Sequence, residues 1–251
     1  MQPETIAKLH NINQEFYQTF AHSFASTRRR VQPGIRKVLQ YIPNHGNWLD
    51  IGCGSGALAG EWIRQLRKGL YQGIDFSQDL LIEAEKEIRA IPFPVGLEIK
   101  FSPADLISDT WNNLYKNTSW DGALCFAVLH HIPGDELRQR ICASIGGLLG
   151  RQKKLYLSVW QVRNSPRLMQ RILPWSQAGL NEDELDAGDV LMDWRAGTES
   201  DSHAPGLRYV HIFTENELNS LADSSGFEVK ETFFSDGKEG NLGLYQSWIV
   251  K

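Results

Sequence analysis

An α/β protein with a doubly wound, mostly parallel sheet is predicted by the order of apolar patterns along this 251-residue chain. Three observations carry that prediction. Short apolar runs recur between stretches of helical period. A glycine-rich turn, Asp50-Ile51-Gly52-Cys53-Gly54-Ser55-Gly56, sits where the first run gives way to a helix. Two β-rich stretches close the chain around a polar, glycine-rich turn, the pattern of an antiparallel hairpin.

Ile6, Leu9, Ile12 and Phe16 recur at helical spacing, and Phe20 and Phe24 continue the stripe. Pro33 suits the first turn of a second helix that runs through Val38 and Leu39 to Tyr41. Trp48–Ile51 reads as the first strand, and a helix carrying Leu58, Trp62, Ile63 and Leu66 follows it. Residues 70–75 form the next strand, with Ser77 placed to cap the helix of Leu80, Leu81, Ala84 and Ile88. Strands over 97–101, 122–128 and 155–160 complete the parallel set, because strands separated by helices build βαβ units. Thr214 stands three residues before Glu217, a capping box that opens a further helix. Strands over 227–234 and 244–250 then flank the turn 235–243, giving seven strands in all. Residues 161–207, rich in Pro, Gly and acids, fit no regular element. So long a connection is expected to contain helices and to be functional. The expected organisation is an N-terminal helical extension over 1–45 and a main domain over 46–251 that carries this insertion.

Composition narrows the function. With 22% charged and 41% hydrophobic residues, the chain is neither disordered nor of low complexity. Cys53, Cys125 and Cys142 make no even framework and no C-x-x-C pair, so a reducing compartment without a structural metal site is expected. No apolar run approaches a membrane span, and the N-terminus lacks the basic-then-apolar order of a signal peptide. A soluble, cytoplasmic protein is the expectation. The net charge of −4 conceals an asymmetry. Residues 16–49 carry five basic side chains and no acid, residues 137–181 carry eight and no acid, and residues 181–202 carry eight acids against one Arg. Basic tracts beside a binding crevice are what an RNA surface requires.

The glycine-rich turn lets a ligand approach bare backbone at a helix N-terminus. It satisfies both D-x-G-x-G-x-G and the looser G-x-G-x-x-A, so alone it does not separate a methyltransferase from a dehydrogenase. Two more strand-end acids decide the matter. Asp75 ends the second strand, placed to accept from ribose hydroxyls, and Asp105 follows the third, where it can take an adenine amino group. Asp50, Asp75 and Asp105 then line one crevice at the carboxyl edge of the sheet. This is the pattern of class I S-adenosylmethionine (SAM) methyltransferases, which resemble the chain over about residues 46–160. The resemblance implies a Rossmann-like seven-stranded sheet with an antiparallel C-terminal strand. It also implies a cofactor held by Asp50, Gly52, Cys53, Gly54, Gly56, Asp75, Phe76, Ala104, Asp105 and Phe126.

Outside the cofactor motifs, four segments stand out: Phe24-Ala25-Ser26-Thr27-Arg28, Val128-Leu129-His130-His131, Ser158-Val159-Trp160-Gln161 and Arg208-Tyr209-Val210-His211-Ile212-Phe213. Together with the aromatic last strand they resemble the wobble-uridine tRNA methyltransferases, which esterify the carboxylate of 5-carboxymethyluridine. Two departures are plain: the stretch from Leu149 to Lys154 has no Pro-Gly-Gly turn, and Val210 replaces the second Tyr of the family segment. The resemblance implies catalytic roles for Arg28 and Arg208, whose planar guanidinium matches a carboxylate or phosphate. It places His131 beside the transferring methyl, and makes His211 a further candidate. Tyr17 and Tyr209 could close over the cofactor or stack on a base, although Tyr17 reads first as a core aromatic. Because a carboxylate is already anionic at neutral pH, positioning and electrostatics rather than a strong base should dominate. The implied partners are tRNA or a small-molecule acceptor, and the small zinc-binding activator subunit that eukaryotic members use. The rival readings are a methyltransferase of a small metabolite and a non-catalytic SAM- or RNA-binding subunit. An NAD-dependent dehydrogenase is disfavoured by the three acids.

Overall fold

A computed structural model describes residues 1–27, 30–194 and 206–251, with Phe24 by its backbone alone. Five parallel strands, β1 (Trp48–Ile51), β2 (Gly69–Asp75), β3 (Leu97–Pro103), β4 (Gly122–Phe126) and β5 (Lys154–Trp160), form most of a seven-stranded sheet. The hairpin β9 (Phe227–Ser235) and β10 (Gly243–Val250) completes it in the order β3-β2-β1-β4-β5-β10-β9, with β10 antiparallel to both neighbours.

Alternation along the strands builds a core on each face. Leu49, Ile51, Ala123, Cys125, Leu155 and Leu157 point to the face covered by α5 (Asp135–Leu149) and α7 (Glu215–Ser224). Trp48, Leu124 and Tyr156 point to the other, covered by α2 (Pro33–Leu39), α3 (Ala57–Arg64) and α4 (Gln78–Arg89). The caps are those the sequence predicts: the Ser77 side chain accepts from the Leu80 N–H, and Thr214 and Glu217 form a reciprocal box. The strand order reverses between β1 and β4, which opens a crevice at the carboxyl edge.

The insertion departs from expectation. Among its described residues the helical part is short, 3₁₀ turns and the single-turn α6 (Pro166–Met169), and it also holds an unpredicted antiparallel sheet of β6 (Ile172–Leu173), β7 (Asp189–Trp194) and β8 (Gly206–His211). The alternation was hidden because polar residues point inward: Asp189, Asp193, Arg208 and His211 are all buried. Helix α1 (Pro3–Thr27) lies across this sheet, packing Leu9 against Leu191 and Tyr209, and Phe16 against Trp194. Strand β4 also stops before Val128, since Ala127 takes a left-handed backbone (φ 59°) and the chain turns into a 3₁₀ turn, Leu129–His131. Among the described residues no helix is long and apolar enough to cross a membrane.

Candidate active site

A cavity of about 230 Å³ opens where β1 and β4 diverge, and the predicted cofactor residues gather in its wall. Asp50, Gly52, Cys53 and Gly54 enter from the first strand and its turn, Asp75 and Phe76 from the end of β2, Ala104 and Asp105 from the end of β3, and Phe126 from the end of β4. Gly56 is not in the wall. It caps α3 at φ 79° and packs on Ala84, where a Cβ would stand 2.8 Å from the alanine's own Cβ. Gly54 is different: at φ 53°, a Cβ built on it meets no atom within 4 Å. Bare backbone thus faces open cavity at that point, a cradle for a ligand that a side chain would fill.

The acids are held in graded states. Burial pushes the Asp50 carboxyl up to about 7, opposed by the Tyr71 hydroxyl that donates to it. Burial likewise lifts Asp75 to about 6, opposed by the N–H groups of Ser77 and Gly54, each 2.9 Å from a carboxylate oxygen. Burial alone would raise Asp105 too, but His10 at 3.1 Å and the Ile107 N–H hold it below the usual carboxylate value. Burial raises the Cys53 thiol well above its ordinary value, so it is a packing group and not a nucleophile.

His131 reaches the same cavity from the turn after β4. Its Nδ1 lies 3.1 Å from the Tyr209 carbonyl, which can only accept, so Nδ1 carries the proton of the neutral ring. Nε2 then accepts from the Tyr17 hydroxyl at 3.2 Å. His130 is buried, its ring stacked at 5.0 Å on Trp160, which itself lines the cavity.

Arg208 and His211 stand outside this wall. The Arg208 guanidinium is buried between the rings of Phe16 (4.8 Å) and Trp160 (5.1 Å), one layer behind the cavity. His211 is engaged at both nitrogens, with Asp189 and Glu217 each at 2.7 Å. Burial would lower its pKa, and those two hydrogen bonds raise it above the ordinary value instead. Arg28 lies outside the described residues.

Helix α1 supplies two residues that sequence reasoning missed, His10 and Asn13, beside the candidate Tyr17. His10, Asn13 and Tyr17, at helical spacing, form one wall of the cavity. Buried Asn13 accepts from the Tyr209 N–H at 2.9 Å and donates toward the carbonyls of Tyr209 and His131. It thus fixes α1, β8 and the histidine turn together. The available signal was a polar Asn interrupting the apolar stripe between Leu9 and Phe16. Tyr17 is more than the core aromatic first expected, for its hydroxyl meets His131 in the cavity wall. Arg30, Val31, Gln32 and Ile35, leading into α2, complete the rim.

Residues 49–151 match a family model described as a methyltransferase domain. The chain is 23% identical over 232 residues to a tRNA (carboxymethyluridine(34)-5-O)-methyltransferase of Schizosaccharomyces pombe, covering 86% of this chain and 89% of that one. A protein of the same name from Arabidopsis thaliana is 27% identical over 145 residues, 57% of this chain and 31% of its own. A probable tRNA methyltransferase 9B of Mus musculus is 22% identical over 181 residues, 71% of this chain and 36% of its own. The chain thus spans about a third of the plant and mouse proteins. Among solved structures, a SAM-dependent methyltransferase from Methanosarcina mazei matches with TM-score 0.65 and 23% identity, over 88% of this chain and 98% of that one. The 1,6-didemethyltoxoflavin-N1-methyltransferase of Burkholderia thailandensis, solved with S-adenosylhomocysteine, matches with TM-score 0.62 and 17% identity, over 100% and 91%. With this sheet order, this crevice and these relatives, the chain is a class I SAM-dependent methyltransferase that resembles the wobble-uridine tRNA methyltransferases.

Proposed function

We propose that the enzyme methylates the carboxylate of a carboxymethyl-modified wobble uridine in tRNA, in the cytoplasm. One observation carries the carboxylate reading: charge is split along the cavity. Among the described residues, the three lining acids stand at the ends of β1, β2 and β3, whereas the β4–β5 side presents His131 and Trp160 and no carboxylate. Among the described residues, Arg30 is the lining cation. A cationic cofactor suits the acid side and an anionic acceptor the other. The tRNA part of the reading is supported by the names of the relatives.

In this reading, Gly52 and Gly54 present backbone to the cofactor, Asp75 and Asp105 address its ribose and adenine, and Phe76, Ala104 and Phe126 enclose it. Asp50 and Cys53 shape the turn within the wall, and Gly56 starts α3. When bound, SAM would supply an electrophilic sulfonium methyl for transfer to the acceptor oxygen, leaving neutral S-adenosylhomocysteine sulfur. The protein needs no strong base for an acceptor that is already ionised. Tyr17 and His131 position the acceptor, and Arg208 sets Trp160 from behind while Arg28 and Arg30 offer guanidinium to the anion. His211 acts at a distance, by holding β8. Residues 1–45 and the insertion serve as acceptor-facing additions to the methyltransferase domain of residues 46–251.

The test is incubation of purified protein with methyl-labelled SAM and bulk tRNA. Label should enter tRNA and leave it on mild alkaline treatment, as an ester does. Alkali-stable label overturns the carboxylate acceptor, and label confined to a small-molecule extract overturns tRNA. Asp75→Ala should weaken SAM binding in calorimetry, whereas His131→Ala should spare it and lower transfer by about 100-fold.

A further inference from the structure

The thirteen basic side chains of the two acid-free tracts divide sharply once they are placed in the fold. In the first, Arg36 lies 4.0 Å from Glu61, and Lys37 lies 3.6 Å from Glu231 with its ammonium over the Phe233 ring. In the second, Arg138 is buried beside Asp186 and Glu217, Arg140 pairs with Asp109, and Lys153 pairs with Asp121 at 2.9 Å. Arg151, Lys153 and Lys154 lead into β5 and so sit at the sheet edge opposite the cavity. Arg28 and Arg29 lie outside the described residues.

Four arginines remain: Arg30, Arg163, Arg167 and Arg171. None has an ion-pair partner among the described residues. Arg30, Arg163 and Arg167 are exposed and Arg171 is half-buried. All four belong to the cavity's side of the sheet. Arg30 lines the mouth, and Arg163 follows Trp160 of the cavity wall by three residues, in a 3₁₀ turn, Val162–Asn164. Arg167 is in α6, capped by the Ser165 side chain, and Arg171 follows it.

Their frame is fixed. The Gln161 N–H donates to the Leu242 carbonyl and the Asn164 side chain to that of Asn241, each at 2.8 Å, tying the turn to the β9–β10 hairpin. The Asp193 N–H donates to the Arg171 carbonyl at 2.9 Å, tying the other end to β7. At the nearby hairpin tip, exposed Lys238 and Glu239 offset one another. Exposed guanidiniums without an ion-pair partner on a fixed frame gain little from folding. A small anion would need one or two guanidiniums at the cavity. Four such cations, one at the mouth and three on the segment that follows the cavity wall, match a polyanion.

We propose that Arg163, Arg167 and Arg171, with Arg30 at the cavity mouth, hold the phosphodiester backbone of the RNA whose nucleotide enters the cavity. This rests on the tRNA reading above and adds to it where the backbone lies.

The experiment is a salt titration of binding to a labelled anticodon stem–loop RNA, comparing wild type with R163Q/R167Q. SAM affinity, read by calorimetry, should be unchanged. RNA affinity should fall about tenfold, and the slope of log affinity against log salt should flatten by about two, one for each lost phosphate contact. If the wild type binds the RNA steeply with salt and the double variant does the same, this surface is wrong and the tRNA reading stands. If the wild type binds no RNA at low salt, the tRNA reading itself fails. Should the double variant lose SAM binding, R163Q and R167Q taken singly give the same comparison at about one unit of slope each.

Discussion

Asp50 shows what a binding site costs a single residue. Its carboxyl and that of Asp75 titrate at about 7 and about 6 in the fold, against 3.8 for each as an ordinary carboxyl. The folded chain therefore keeps protons that the unfolded chain has already released, so these groups erode stability as pH rises from about 4 through 7. Asp50→Asn should stabilise the ligand-free protein on the order of 2 kcal/mol at pH 8, and by less at pH 5, in thermal unfolding at both values. The same substitution should weaken SAM binding. A cationic ligand pulls both carboxyls toward ionisation, so wild-type affinity should rise between pH 5.5 and 8 with proton release on binding. Calorimetry in buffers of different ionisation enthalpy measures that release, and proton uptake would contradict it. An unchanged unfolding temperature at pH 8 would show that Asp50 imposes no such cost.

At the scale of elements, β8 connects the insertion to the cavity. Asp189 of β7 accepts from the Tyr209 hydroxyl at 2.8 Å and bonds His211, which also bonds Glu217 of α7. With its pKa raised in the fold, His211 contributes stability that is full below about 6.5 and fades as pH climbs through the folded value. His211→Gln should accordingly cost about 3 kcal/mol at pH 6 and distinctly less at pH 9, as urea unfolding at each pH would show. An equal cost at both values would mean that the imidazolium plays no part. These pairings also explain which elements could be read in advance. The central strands β1, β4 and β5 are largely apolar on both faces, as buried parallel strands are, and their runs are visible in the sequence. The insertion's strands turn Asp189, Asp193, Arg208 and His211 inward, so they read as polar linker until partners from distant segments are known. Likewise Asp50, Asp75 and Asp105 are legible because each ends a recognisable strand. His10 and Asn13 were not, because nothing local says what α1 will face; Tyr17 stood as a candidate but read first as a core aromatic.

On the scale of the molecule, the cavity is a joint product of both sheets and the first helix. The parallel sheet supplies the acids and the glycine turn, the insertion sheet supplies the carbonyl that orients His131, and α1 closes the remaining side. Saturating SAM should therefore slow hydrogen exchange in the stretch from His10 to Tyr17 as well as in the glycine turn, with little change in α5. At a ligand concentration of about 100 times Kd, it should add about 2.7 kcal/mol to global stability. Protection of the glycine turn alone, with α1 exchanging as before, would remove α1 from the binding wall.

The bonds between Asn13 and Tyr209 join positions 196 residues apart. During synthesis, α1 leaves the ribosome first, yet the strand it must lie on emerges only after the whole parallel sheet. Until then Leu9 lacks the Tyr209 ring and Asn13 its backbone partners, a loop closure of high contact order. A chain halted before β8 already has its glycine turn and its three acids, but no roof above them. Tight cofactor binding should therefore wait until β8 has joined the fold, although the glycine turn and the three acids are made long before it.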